Sequence, residues 1–198
     1  NLNFACDDNT LTKHLVLSFR LAADVPDYIA AAATVDYVVG AGSPMPWWSF
    51  GPGECREGAF APVPVPDGIG GCTSPYVGAA QGGGYAVERL GANRWRLRAQ
   101  WARDSEVPLT ANVRYAAIVL ALTTARSFDD GSGLCEGCDR QACFTVEGLS
   151  LFSWPSGLEY WIESSDVRDW ATYQGADYHL CSTPARGSTW GAIKALYR

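Results

Sequence analysis

The sequence predicts an all-β protein: an antiparallel, jelly-roll-like β-sandwich, disulfide-stapled, closing on a short C-terminal helix or tail. Three observations predict it. Short runs alternating between apolar and polar residues recur along the chain, the period-two signature of half-buried strands. Twenty-one glycines and 11 prolines separate those runs, and seven cysteines stand in or beside the turns. With 198 residues, 47% hydrophobic and 18% charged, the chain can bury one substantial core. Residues 1–180 read as one β-sandwich domain, and 181–198 as a tail packing on that domain or on a partner.

Each element has its own warrant. His14–Ala22 places Leu15, Leu17, Phe19 and Leu21 on one face and His14, Ser18 and Arg20 on the other. Ala30–Val39 begins rich in alanine, but Val35, Tyr37 and Val39 favour a strand over a helix. Gly40–Gly84 is the least regular stretch, holding most of the prolines, Trp47-Trp48, Cys55, Cys72 and Gly82-Gly83-Gly84. Tyr85–Glu88 and Arg94–Ala102 predict a hairpin around Leu90-Gly91-Ala92-Asn93. Its second arm sets Trp95, Leu97, Ala99 and Trp101 against Arg94, Arg96, Arg98 and Gln100. Val113–Thr124 is apolar on both faces, which places it centrally in a sandwich. Phe144–Phe152 and Leu158–Glu163 follow, and a capped turn near Ser188-Thr189 predicts a short terminal helix.

The organising stretch is Leu134–Phe152, where Cys135, Cys138 and Cys143 lead into FTVEGLSLF. The disulfide candidates are Cys6, Cys55, Cys72, Cys135, Cys138, Cys143 and Cys181. Cys55–Cys72 is the expected bridge; closing the sixteen residues between them contributes about 3 kcal/mol on a chain-entropy estimate. Seven is odd, so one thiol is free, paired to another chain, or paired outside this stretch. Scarce Lys, a single Met and abundant Cys, Gly and Pro point to an oxidising compartment, secreted or at the cell surface. Asn1 reads as a mature or truncated start without a signal peptide. No apolar run is long enough to cross a bilayer. A net charge of −6 opposes nucleic-acid binding, which needs a positive surface.

Several motifs taken together are distinctive: Phe4–Asn9, Pro44-Met45-Pro46-Trp47-Trp48, the loop ending Gly53-Glu54-Cys55-Arg56, Cys135–Val146, and Ser182–Arg198 with its W-G-x-x-K-x-L-Y-R finish. On these the chain resembles a group of uncharacterised secreted bacterial β proteins. The resemblance implies export and a disulfide-rich sheet fold, and brings no activity with it. It also implies a further cysteine upstream of Phe4, which would account for the odd count.

Candidate chemistry is sparse. Cys135-x-x-Cys138 lacks the βαβ setting of a redox site, so a structural bridge is the expectation. Zinc would need Cys135, Cys138 and Cys143 with Cys181 or His179, and the second C-x-x-C is missing. Only two histidines, His14 and His179, and no G-x-S-x-G turn are present, against acyl transfer. Glu147, Glu159 and Glu163 could pair as glycosidase acids, although solvent-facing strand carboxylates are the commoner reading. Asp7, Asp129 and Asp130 could hold calcium or simply shape turns. Trp47, Trp48, Arg94, Arg96 and Arg98 could bind a glycan, with Trp161 and Trp170 as further exposed rings. Trp170, Tyr173, Trp190 and Tyr197 are candidate interface residues. The expectation is a non-enzymatic extracellular structural or interaction module, such as a subunit of a cell-surface or filamentous assembly with itself or other surface proteins. Carbohydrate binding is the alternative and a secreted hydrolase the third reading; no cofactor beyond calcium is implied.

Overall fold

Two antiparallel sheets pack face to face in a computed structural model of the chain, which describes residues 2–40, 45–162, 170–176 and 181. The strands are β1 (Thr12–Arg20), β2 (Val25–Val39), β3 (Phe60–Val63), β4 (Gln81–Arg89), β5 (Arg94–Leu109), β6 (Arg114–Thr123), β7 (Ala142–Ser153), β8 (Glu159–Ile162) and β9 (Trp170–Tyr173). The smaller sheet has the order β1-β6-β3 and the larger β4-β5-β2-β7. Two short strands share the far edge of β7: β9 along Ala142–Thr145 and β8 along Leu149–Phe152. Pairs β4–β5, β3–β6 and β2–β7 are nested, so the chain runs as one long hairpin rolled into two layers, the jelly-roll-like order expected. The nesting ends there, because β8 joins β7 instead of β1.

Alternation fixes which residues point inward. On β5, Trp95, Leu97, Ala99 and Trp101 are buried while Arg98 and Gln100 are exposed. β6 is buried from Tyr115 to Leu122 and lies between β1 and β3, as its two-faced apolar sequence predicts. The alanines of β2 are strand, with Ala31 and Ala33 inward. Tyr37 stands at the centre of the core, stacked on Trp95 at 5.4 Å and ringed by Trp48, Phe50, Phe60 and Phe144.

Three elements differ from expectation. Phe60–Val63 pairs with β6 although Pro62 lies within it and Pro64 follows it, which suits its place at a sheet edge. The Gly82–Gly84 run belongs to β4 and not to a loop. Its Gly83 needs to lack a Cβ, since one would fall 2.0 Å from the Gln100 carbonyl and 2.5 Å from the Trp101 ring. Trp170–Tyr173, assigned to no strand from the sequence, forms β9.

The disulfide expectation is corrected. Cys55 is bridged to Cys135 and not to Cys72; Cys6 is bridged to Cys138, and Cys143 to Cys181. Cys72 is the free thiol, buried beside the Thr73–Tyr115 bridge. The Cys135–Cys138 loop is therefore a hub tying the N-terminal segment and the 50s loop to the head of β7. Since all four cysteines considered for zinc are bridged, none is left as a thiolate, and neither member of the C-x-x-C has its neighbour as partner. Among the described residues no helix is long and apolar enough to cross a membrane. The terminal helix near Ser188, Trp190, Tyr197 and the ligand candidate His179 lie outside the described residues.

Candidate functional site

The tryptophans divide into two sets. Trp47 and Trp48 sit on a one-turn 3-10 segment, Pro46–Trp48, and both are 0% exposed. Each indole has an internal acceptor: Trp47 Nε1 donates to Ser127 Oγ at 2.6 Å and Trp48 Nε1 to the Gly137 carbonyl at 3.0 Å. The Trp47 amide donates to Glu136 O, so the cysteine loop is the surface on which the pair is seated. The Arg56 guanidinium lies 3.6 Å from the Trp47 ring centre and donates to the carbonyls of Trp47 and Thr123. Burial lowers its pKa to about 9. This corrects the reading of Trp47 and Trp48 as ligand-binding rings: they are core, and Arg56 is the cation that stacks there.

Trp161 and Trp170 are 60% and 38% exposed. Trp161 pairs with Ser150 of β7, and Trp170 with Thr145. Leu149 and Leu151 point into the core, so Ser150 and Trp161 face outward; the buried Phe144 likewise puts Thr145 and Trp170 outward. A bulge beside Glu147, where Val35 pairs with Val146 but Thr34 with Gly148, restores the outward side to Gly148. The benzo end of Trp161 lies across Gly148: a Cβ there would be 2.7 Å from Cη2. The ring is thus backed by bare main chain on one side and open to solvent on the other.

Next to these rings the outer surface of the larger sheet carries small side chains on β2 and β4. Cross-strand registers line up Ala30, Ala32 and Thr34 of β2 with Ala102, Gln100 and Arg98 of β5, and then with β4, whose Gly82, Gly84 and Ala86 continue the rows. Ser150, only 5% exposed, lies between Ala32 and Trp161 on the same face.

The predicted arginines lie at one end of this face and are internally compensated. Arg94 Nη2 and Arg96 Nε donate to Asp36 at 2.5 and 2.6 Å, and Arg98 pairs with Glu88 at 2.7 Å. Burial opposes ionisation of Asp36, but the Arg96 and Arg94 guanidiniums outweigh it and hold its carboxyl below the usual range.

Other candidates scatter. Tyr173 is buried, donating to Cys138 O at 2.9 Å, which removes it as an interface residue; Trp170 remains exposed. Glu147 and Glu159 flank positions five residues apart on β7, roughly 15 Å at strand rise and too far for a glycosidase pair. Glu163 lies outside the described residues, and His14 is exposed on β1. The two acidic loops do meet, but through Asn9, which donates to Asp130 Oδ2 and Phe128 O, each at 2.8 Å. Ser132 and Asn9 hold the Asp130 carboxyl down to about 2. Asp129 accepts from the Gly131 amide, and Asp7 is exposed. No group of three potential ligand side chains gathers among the described residues.

The chain matches no family model, no curated protein and no solved structure. What the surface can do must be read from its chemistry. The small-residue rows from Ala30 to Thr34, Gly148 and Ser150 were not singled out from sequence, although alternation along Leu149–Ser153 carries the signal for Ser150.

Proposed function

We propose that the protein is an extracellular, non-enzymatic interaction module that engages its partner through the outer face of the larger sheet. The observation that carries this reading is the pairing of Trp161, held open over Gly148, with a face on which β2 and β4 carry only small side chains from Ala30 to Thr34 and from Gly82 to Ala86. A large aromatic ring left mostly exposed on such a face favours contact with something else. Three disulfides suit an oxidising exterior. Glu147 and Glu159 are too far apart to cooperate, which favours binding over hydrolysis.

Ala32→Arg tests it by placing a long charged side chain in the middle of the face. Wild-type protein should co-sediment with washed cell envelopes of the source organism, and the Arg variant, with an unchanged melting temperature, should stay in the supernatant. Equal sedimentation of the two proteins would contradict the reading.

A further inference from the structure

We infer that the occupant of this face is a neutral, extended oligosaccharide lying along β7, stacked on Trp161 and Trp170; the inference rests on the outer-face reading above. Three independent features select that chemistry. First, the face has no net positive charge: Arg94, Arg96 and Arg98 stand against Asp36, Glu88, Glu147 and, beside Trp161, Glu159, of which Asp36 and Glu88 are directly paired and Glu147 acts on Arg96. A nucleic acid or an acidic chain would find no unspent cation there, whereas an uncharged ligand loses nothing. Second, an indole backed by a glycine and open on its other side presents a flat apolar plate of the kind that packs on the C–H face of a sugar ring. Third, the surface beside it is polar. Gln100 and Thr34 face out from β5 and β2, and Ser150 lies between Ala32 and Trp161 on the same face. Amide and hydroxyl side chains both donate and accept, as sugar hydroxyls do.

The spacing adds a length requirement. The β7 partners of the two rings, Ser150 and Thr145, are five residues apart, roughly 15 Å along the strand. One sugar ring cannot cover both plates, but a short chain can. Oligosaccharides should therefore bind and their constituent monosaccharide should not. Gly148 is a positioning residue in this scheme: Gly148→Ala would displace the Trp161 ring without removing it.

The experiment is affinity electrophoresis of the full chain in gels cast with hydroxyethylcellulose, laminarin, galactomannan or, as the anionic control, polygalacturonate. It is paired with sedimentation on envelopes treated with periodate, which cleaves vicinal diols, or with protease. Wild-type protein should be retarded by at least one neutral polymer and not by polygalacturonate. Trp161→Ala should weaken retardation at least tenfold with unchanged melting, and Gly148→Ala should weaken it in the same direction. Trp154→Ala, which removes an equally exposed ring on the β7–β8 turn, should leave it intact. Periodate should abolish envelope binding while protease spares it. Envelope binding that survives periodate but is lost to protease, with Ala32→Arg still defective, would overturn the sugar assignment and leave the outer-face reading standing. Retardation unaffected by Trp161→Ala would overturn the assignment as well. Binding insensitive to Ala32→Arg would overturn both.

Discussion

Trp47 and Trp48 stand next to each other in a proline-rich loop, and Trp161 and Trp170 stand in short edge strands; only the second set meets solvent. In sequence the first pair looks the more like a binding motif. The difference lies in what each indole N–H and ring face can reach. Trp47 and Trp48 have carbonyl or hydroxyl acceptors and an Arg56 cation within the protein, because the Cys55–Cys135 disulfide brings the 50s loop and the 130s loop together beneath them. Trp161 has bare backbone on one side and solvent on the other. One aromatic set stabilises the fold and the other is free for recognition, and the two should respond oppositely to mutation.

The largest effects should come from the region around the buried pair. Replacing Cys55 and Cys135 together by alanine opens a bridge with a sequence separation of 80, costing about 4–5 kcal/mol by the chain-entropy estimate. Denaturant unfolding should show a midpoint well below wild type. Trp48→Ala should cost about 3–5 kcal/mol, the range for a buried tryptophan, and should lower the melting temperature by about 10 °C or more. Arg56→Lys keeps the charge but loses the planar contact with Trp47 and one of the two carbonyl bonds. About 1–3 kcal/mol is expected from unpaired carbonyls alone, read by the same melts.

Smaller effects belong to the exposed regions. Asp130 is held down to about 2 by Ser132 and Asn9, so its tie to the N-terminal loop is complete above the ordinary aspartate pKa of about 4. The tie is lost as pH falls through 2. Protection of the Ser132 amide, which donates to Asp130 Oδ1, should fall over that window relative to its intrinsic exchange rate, and Asn9→Ala should move the fall to higher pH. Trp161→Ala should change stability by no more than about 0.5 kcal/mol, as for surface sites generally, while removing envelope binding.

Much of the sandwich was legible because its signal is local. Alternation on Arg94–Ala102 and the apolar run of Val113–Thr124 fix face and depth without knowledge of any partner. The bridges were not legible. Cys55 lies nearer in sequence to Cys72 than to Cys135, and only the rolling of the long hairpin brings Cys135 within reach. Trp47 and Trp48 were misread for the same reason, since their acceptors, Ser127 and Gly137, lie some eighty residues downstream. β3 escaped notice because Pro62 and the prolines after it read as a loop, and β9 because Trp170–Tyr173 shows no clean alternation of apolar and polar residues. The outer face could be assembled only from register: Ala32 means little until Gln100 and Ser150 are known to flank it.

The measurement that tests the central division most directly is hydroxyl-radical footprinting of the tryptophans, with and without washed envelopes. The account predicts that Trp161 and Trp170 are oxidised in the free protein and protected when it is bound. Trp154 should stay reactive throughout, and Trp47 and Trp48 should stay unreactive in both states. Bound protein in which Trp161 is oxidised as fast as in the free state would contradict it.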